Sequence, residues 1–176
     1  MKLAAIVLAL AASAAIVAGR QAAHDATRET QLERLFPAAA AFSPKGGTPP
    51  HIKAYSGGPG TSDQQLIGLA FLTRDLEPLE RGYDGPIQIL VGMDTIGSLT
   101  GVIVVNHNEP YGYFSIDLPE FAAQFEAKSI RDRFRVGRDI DAVSRATLTV
   151  TSASRAVRNS ARRIARQLLT PPGDSK

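Results

Sequence analysis

The residues best suited to chemistry lie in one stretch: Asp139-Ile140-Asp141-Ala142-Val143-Ser144-Arg145-Ala146-Thr147-Leu148-Thr149-Val150-Thr151-Ser152. It offers carboxylates, a small-residue turn and several hydroxyls, and it leads into a basic helical segment. A helix N-terminus attracts an anion such as a phosphate, because its first N–H groups lack partners and its dipole is positive there. The same hydroxyls would serve equally well as a helix cap with no ligand. On the residues alone both readings stand.

Other familiar chemistries are poorly supplied. The chain has no Cys, which removes iron–sulfur clusters, disulfides, thiolate zinc sites and a Cys nucleophile. Its three His, at 24, 51 and 107, share no metal-ligand spacing. Ser115, His107 and Asp117 could be assembled into a hydrolytic triad, but no nucleophile-elbow context surrounds Ser115. Gly57-Gly58-Pro59-Gly60 lacks the Lys-Ser/Thr of a P-loop, and no G-x-G-x-x-G follows a strand. There is no Trp and aromatics make up only 6%, so a stacking platform for single-stranded nucleic acid is not expected.

These residues need a scaffold, and 176 residues suffice for one domain. Three apolar runs of strand length, Gln65 to Thr73, Ile87 to Met93 and Leu99 to Val105, are bounded by Gly, Pro or Asp. The short Asp94-Thr95-Ile96-Gly97 link predicts antiparallel pairing of the last two. A shorter strand is expected over His51 to Ser56. Strands do not alternate with helices, so the expected class is α+β with a mainly antiparallel sheet, not a doubly wound one. Pro119 to Lys128 reads as a short helix with Phe121 and Phe125 on one face and Asp117 as its cap. Ser152 to Leu169 reads as an amphipathic C-terminal helix, with Thr149, Thr151 and Ser152 as capping residues and an Ala-rich stripe packed on the sheet.

The amino end suggests a location. Residues 1–20 carry Lys2, an apolar run from Leu3 to Gly19 and then Arg20, the pattern of an export signal or membrane anchor. Residues 21–37 are expected to form a lead-in helix ended by Pro37, residues 38–170 the functional domain, and 171–176 a tail. The domain is therefore expected in the periplasm, free or anchored through the N-terminal segment. Charge is uneven: residues 127–176 carry 12 Lys/Arg against 4 Asp/Glu. The imbalance reads either as a solvated helix face or as the mark of an anionic partner. Sequence-specific nucleic-acid binding is not expected.

Asp141-x-x-Ser144-x-Ala146-Thr147-x-Thr149 resembles the D-x-x-[ST]-G-A-T-x-[ST] signature of the FMN-binding domain family, which includes flavin subunits of the sodium-pumping quinone reductase and of the Rnf complex. Leu35-Phe36-Pro37-Ala38, Gly82-Tyr83-x-Gly85-Pro86-Ile87, Leu90-Val91-Gly92-Met93-Asp94 and His107-x-Glu109 follow the same family's order. Arg145 replaces the signature Gly, and Glu109-Pro110-Tyr111-Gly112-Tyr113 replaces the usual E-T-P-G-L-G loop. Both departures look like the NosR branch, as do Phe42-Ser43-Pro44-Lys45 and Phe114-Ser115-Ile116-Asp117. This chain lacks the cysteine-rich motifs that follow the flavin domain in that branch.

The resemblance implies FMN as cofactor, esterified through its phosphate to Thr147. It implies an FAD:protein FMN transferase as the modifying partner, acting with Mg²⁺ on FAD. It also implies an electron-transfer role between redox partner proteins, more that of a carrier than of a stand-alone enzyme. Asp141, Ser144, Arg145, Ala146, Leu148 and Thr149 would frame the attachment turn. Glu109, Tyr111 and Gly112 would lie in a loop facing the flavin, with Tyr111 or Tyr113 available to stack on it. A regulatory or maturation module, redox-silent, is the alternative that the NosR likeness suggests.

Overall fold

A computed structural model describes residues 26–169. The signal or anchor expected over 1–20, the start of the lead-in helix and the tail lie outside them. The chain divides into two compact units at Arg34–Leu35. Residues 26–35 are helical (α1), and Pro37 follows in a turn, as its missing N–H requires. Among the described residues no helix is long and apolar enough to cross a membrane.

The second unit is an α+β fold. Five strands, β1 (Ala41–Phe42), β2 (Ile52–Tyr55), β3 (Leu66–Leu72), β4 (Gln88–Asp94) and β5 (Leu99–Asn106), form an antiparallel sheet in chain order. The β4–β5 link behaves as its residues dictate. Asp94 Oδ1 accepts the N–H groups of Ile96 (3.0 Å) and Ser98 (2.8 Å), and Gly97 takes φ +86°. Two helices of four and five residues follow β3 and β5 respectively: α2 (Thr73–Leu76) and α3 (Pro119–Ala123). The long α4 (Thr147–Leu168) closes the chain.

Alternation along the strands assigns the two faces of the sheet. Leu69 and Phe71 of β3 and Ile89, Val91 and Met93 of β4 share one buried cluster with Val150, Ala153, Val157, Ala161 and Ile164 of α4. Each large aliphatic side chain so buried contributes about 1.5–3 kcal/mol, and the alanines let the helix approach closely. The opposite face has a shallow dent where Gly68, Gly92 and Gly101 withhold side chains. Phe36 fills it beside Gly68, and Leu35 lies against Gly92 and Gly101. A Cβ at Gly68 would collide with the Phe36 ring, so Leu35-Phe36 and these glycines are one packing unit.

Three local expectations are corrected. The helix expected over Pro119 to Lys128 ends at Ala123, because the chain turns away to pair with β5: Ala127 N–H donates to Leu99 O (2.9 Å) and Leu99 N–H to Lys128 O (2.8 Å). Phe121 and Phe125 still meet edge to face at 5.1 Å. Asp117 does not cap that helix: Leu118 holds the N-cap position, and the Asp117 carboxylate bonds His107 instead. The C-terminal helix starts at Thr147, not Ser152, so Thr149, Thr151 and Ser152 lie inside it and cap nothing.

Between α3 and α4 the chain is held by Asp139. Its carboxylate accepts the N–H groups of Arg135 (2.6 Å) and Phe134 (2.9 Å) and the Lys128 ammonium (3.3 Å). Burial pushes its pKa up, but the N–H groups of Arg135 and Phe134 and the charge of Lys128 outweigh it, and the net shift is down from 3.8. A depressed carboxyl contributes stability that is fully present above its unfolded pKa and is lost as pH falls through its folded pKa. Asp139→Asn is therefore expected to lower stability at pH 6, and the difference from the parent should shrink below about pH 3.8. Urea midpoints of both proteins at pH 6 and pH 3 check this; a difference that does not narrow at pH 3 would refute it.

Candidate functional site

The turn expected to carry the attachment lies at the start of α4. Val143 O accepts the Ala146 N–H (3.1 Å), which closes a four-residue turn with Ser144 and Arg145 at its centre. Arg145 has φ +67°, the left-handed region that favours Gly. The position at which the resemblance expects Gly is thus one at which the backbone itself favours Gly. Arg145→Gly is expected to stabilise the fold by about 0.5–1 kcal/mol, because relief of left-handed strain exceeds the entropy that Gly adds to the unfolded chain. Thermal unfolding checks the sign: a lower Tm in Arg145→Gly would contradict the strain argument.

Ala146 is the N-cap residue and is buried, and no side chain caps the helix. Thr147 is the first helical residue and is exposed; its Oγ1 donates a long 3.3 Å bond to Val143 O. Its hydroxyl therefore stands open beside an uncapped, dipole-positive helix end. Leu148 is exposed, as are Asp141 and Ser144. Asp141 N–H donates to Gln124 Oε1 (2.6 Å), which anchors the approach to the turn.

Two turns of α4 are tied to the loop before β4. Glu109 is only 6% exposed, and its carboxylate points inward rather than out of the loop. Oε2 accepts the Tyr83 N–H (2.9 Å) and the buried Thr149 hydroxyl, and Oε1 accepts the Asp84 N–H (2.9 Å). Gly82 lies beneath this carboxylate, so close that a Cβ would come within 2.5 Å of Oε1. One turn further along, Glu80 takes a paired bond from Arg155 (2.8 and 2.7 Å) and one from the Ser152 hydroxyl (3.1 Å). Thr149, Ser152 and Arg155 are three apart and share a face, so two carboxylates clamp one helix edge. Tyr83, Glu80 and Arg155 were not among the residues expected at the site, and Ser152 was expected only as part of the hydroxyl-rich stretch and as a cap. The Gly82-Tyr83-x-Gly85 spacing was the visible signal for the first of them.

The loop after β5 is ordered by His107. Nε2 meets Asp117 Oδ1 at 2.7 Å, and Nδ1 accepts the Glu109 N–H at 3.0 Å, which places the ring proton on Nε2. Gly112 lies against the imidazole and has no room for a side chain. Ser115 donates to Tyr111 O (2.7 Å) and is buried. With both His107 nitrogens occupied, the paper triad has no base for Ser115. Tyr111 and Tyr113 are exposed, each with its ring against Phe114 (5.5 and 4.9 Å). Tyr83, whose N–H bonds Glu109, and Leu148, between Thr147 and Thr149, both leave apolar side chains exposed. The structure thus joins Glu109 to Thr149 directly. It shows no bond from Asp141 or Ser144 to that pair among the described residues.

In comparison with known families, residues 82–162 match the FMN-binding domain. That stretch runs from Gly82 through Glu109 to Arg162 and so contains the turn before α4 and the Glu109 contacts, with Glu80 just before it. It carries a flavin-binding role, with FMN as the cofactor. No curated protein matches the chain.

Proposed function

We propose that this FMN-binding stretch holds its flavin covalently, as a phosphoester on Thr147, and serves as an electron carrier outside the cytoplasm. The observation that carries the proposal is the contrast between neighbouring hydroxyls. Thr147 is exposed at an uncapped helix start, whereas Thr149 is buried and spent on Glu109. Thr151 lies a full turn inside the helix.

In the attachment, Thr147 Oγ1 bonds to the flavin-side phosphorus of FAD, the bond to AMP breaks, and the hydroxyl proton leaves to the transferase. The phosphate so held would take up the unpaired N–H groups of the first turn, and the Arg145 guanidinium is close enough in sequence to pair with it. Bound FMN supplies exchange of electrons in single or paired steps. The chain's own residues position that chemistry. Glu109 fixes the first turn of α4 against Tyr83 and Asp84, and Tyr111, Tyr113, Tyr83 and Leu148 offer apolar surface for a planar ring. Export rests on the N-terminal pattern, and a covalent link keeps the cofactor in a compartment where none is resupplied. Redox partners would be separate proteins; the NosR-like loop residues favour a respiratory reductase chain.

The test is production of the full chain together with an FAD:protein FMN transferase, followed by intact mass and in-gel fluorescence after denaturation. The proposal expects one added FMN. An unmodified mass from cells in which another known substrate is modified would defeat it.

A further inference from the structure

Arginines gather along the flank of α4. An open cleft of about 530 Å³ lies between that helix and residues 133–136, and Arg133, Arg135, Arg155, Arg158 and Arg162 line it. Phe134 and Val136 add apolar surface and Thr151 a hydroxyl. The size falls within the roughly 300–1,000 Å³ usual for small-molecule sites.

Two of the guanidiniums are fixed in place. Arg155 gives Nε and Nη2 to Glu80, and Arg162 gives Nε to Ile130 O (2.8 Å) and Nη2 to Asp132 O (2.7 Å). In each, Nη1 meets no acceptor among the described residues. Arg158 bonds only the Asn159 amide oxygen (3.2 Å), and Arg133 and Arg135 form no ion pair among them. Among the described residues Glu80 is the one carboxylate that forms an ion pair with any of these five arginines. Burial, then the like charges of Arg158 and Arg166, hold the Arg162 pKa below the ordinary arginine value, consistent with uncompensated positive potential. The opposite wall is fixed as well, because Asp139 holds the N–H groups of Phe134 and Arg135. A merely solvated helix face does not need its arginines pinned around a concavity.

The geometry points to a binding site in this cleft for a small molecule bearing a multivalent oxyanion. The Arg fork suits phosphate and carboxylate alike. Thr151 is one turn past Thr147, about 6 Å along the helix axis, so the cleft adjoins the attachment turn without including Thr147. The inference does not depend on flavin attachment.

Calorimetric titration of the full chain at low salt with inorganic pyrophosphate, and separately with citrate, tests it. Saturable one-to-one binding is expected, weakened at least tenfold in the double variant Arg133→Ala/Arg135→Ala and likewise in Arg158→Gln. Arg133 and Arg135 are exposed, so their removal leaves the core intact. Arg74→Ala, exposed and outside the cleft, should bind as the parent does. Preference for pyrophosphate identifies a phosphate ester as the natural ligand class, and preference for citrate a polycarboxylate. The inference is overturned if neither anion saturates, or if Arg74→Ala weakens binding as much as the cleft variants do. It is also overturned if binding appears only in Thr147→Val, which would make the cleft the flavin phosphate's own seat. An acidic peptide that binds where both small anions fail would overturn it equally.

Discussion

Thr147→Val should yield a folded protein that carries no covalent flavin at all. Valine keeps the branched shape and loses only the oxygen, and at this exposed position the single 3.3 Å bond to Val143 O is all that the fold gives up. The expected change in stability is under about 0.5 kcal/mol, typical of a surface substitution. The expected change in covalent flavin is complete. Thr149→Val is the informative companion. It should keep the flavin yet destabilise the protein by about 1.5–3 kcal/mol, because it removes a buried hydroxyl from a carboxylate. Intact mass, peptide mapping and urea unfolding on both variants separate the two roles. Added FMN mass mapped to Thr149 or Thr151 would sink the assignment to Thr147.

Glu109→Ala should be among the most destabilising single substitutions in the chain, at about 3 kcal/mol or more. It strands three donors at once: the N–H groups of Tyr83 and Asp84 and the Thr149 hydroxyl. Each buried donor left without a partner costs about 1–3 kcal/mol, less where water can reach it. Water can reach the two loop N–H groups, which are partly buried, more easily than it can reach Thr149. Glu109→Gln should fall between parent and Ala, because it keeps one acceptor but turns an amide NH₂ toward a donor. Urea denaturation measures both. A loss below 1 kcal/mol in Glu109→Ala would mean that the loop is not held by this carboxylate.

The strands were legible in the sequence because each is an apolar run closed by a turn residue with a specific duty, such as Asp94 and Gly97 in the β4–β5 link. β1 was not, because two residues carry no period. The start of α4 was misread for a physical reason. Thr147 to Val150 alternates threonine with apolar residues and Thr151-Ser152 adds two more hydroxyls, which suggests a cap, and Ala146 at the N-cap gives no capping signal. The buried side of the helix begins with Thr149 and Val150, so the stripe runs one turn earlier than its alanines suggest. At the site, Thr147 and its turn could be read, and so could the presence of Glu109. The inward aim of Glu109 could not, because it depends on backbone N–H groups 25 and 26 residues away that no side-chain pattern records.

The chain-order sheet has a kinetic consequence. Each strand pairs with its immediate neighbour in sequence, so the sheet can grow hairpin by hairpin as the chain emerges, at small loop-closure cost. The final helix is different: Arg155 reaches Glu80 across 75 residues, and Arg163 reaches the Leu76 carbonyl across 87. Its docking closes far longer loops than the hairpins do and carries a correspondingly larger entropic cost. The turn that presents Thr147 is closed locally by the Val143–Ala146 bond, but the helix that follows it is anchored to the loop before β4 by that docking. An enzyme that reads the turn together with the docked helix would therefore act on chains whose loop before β4 is already in place.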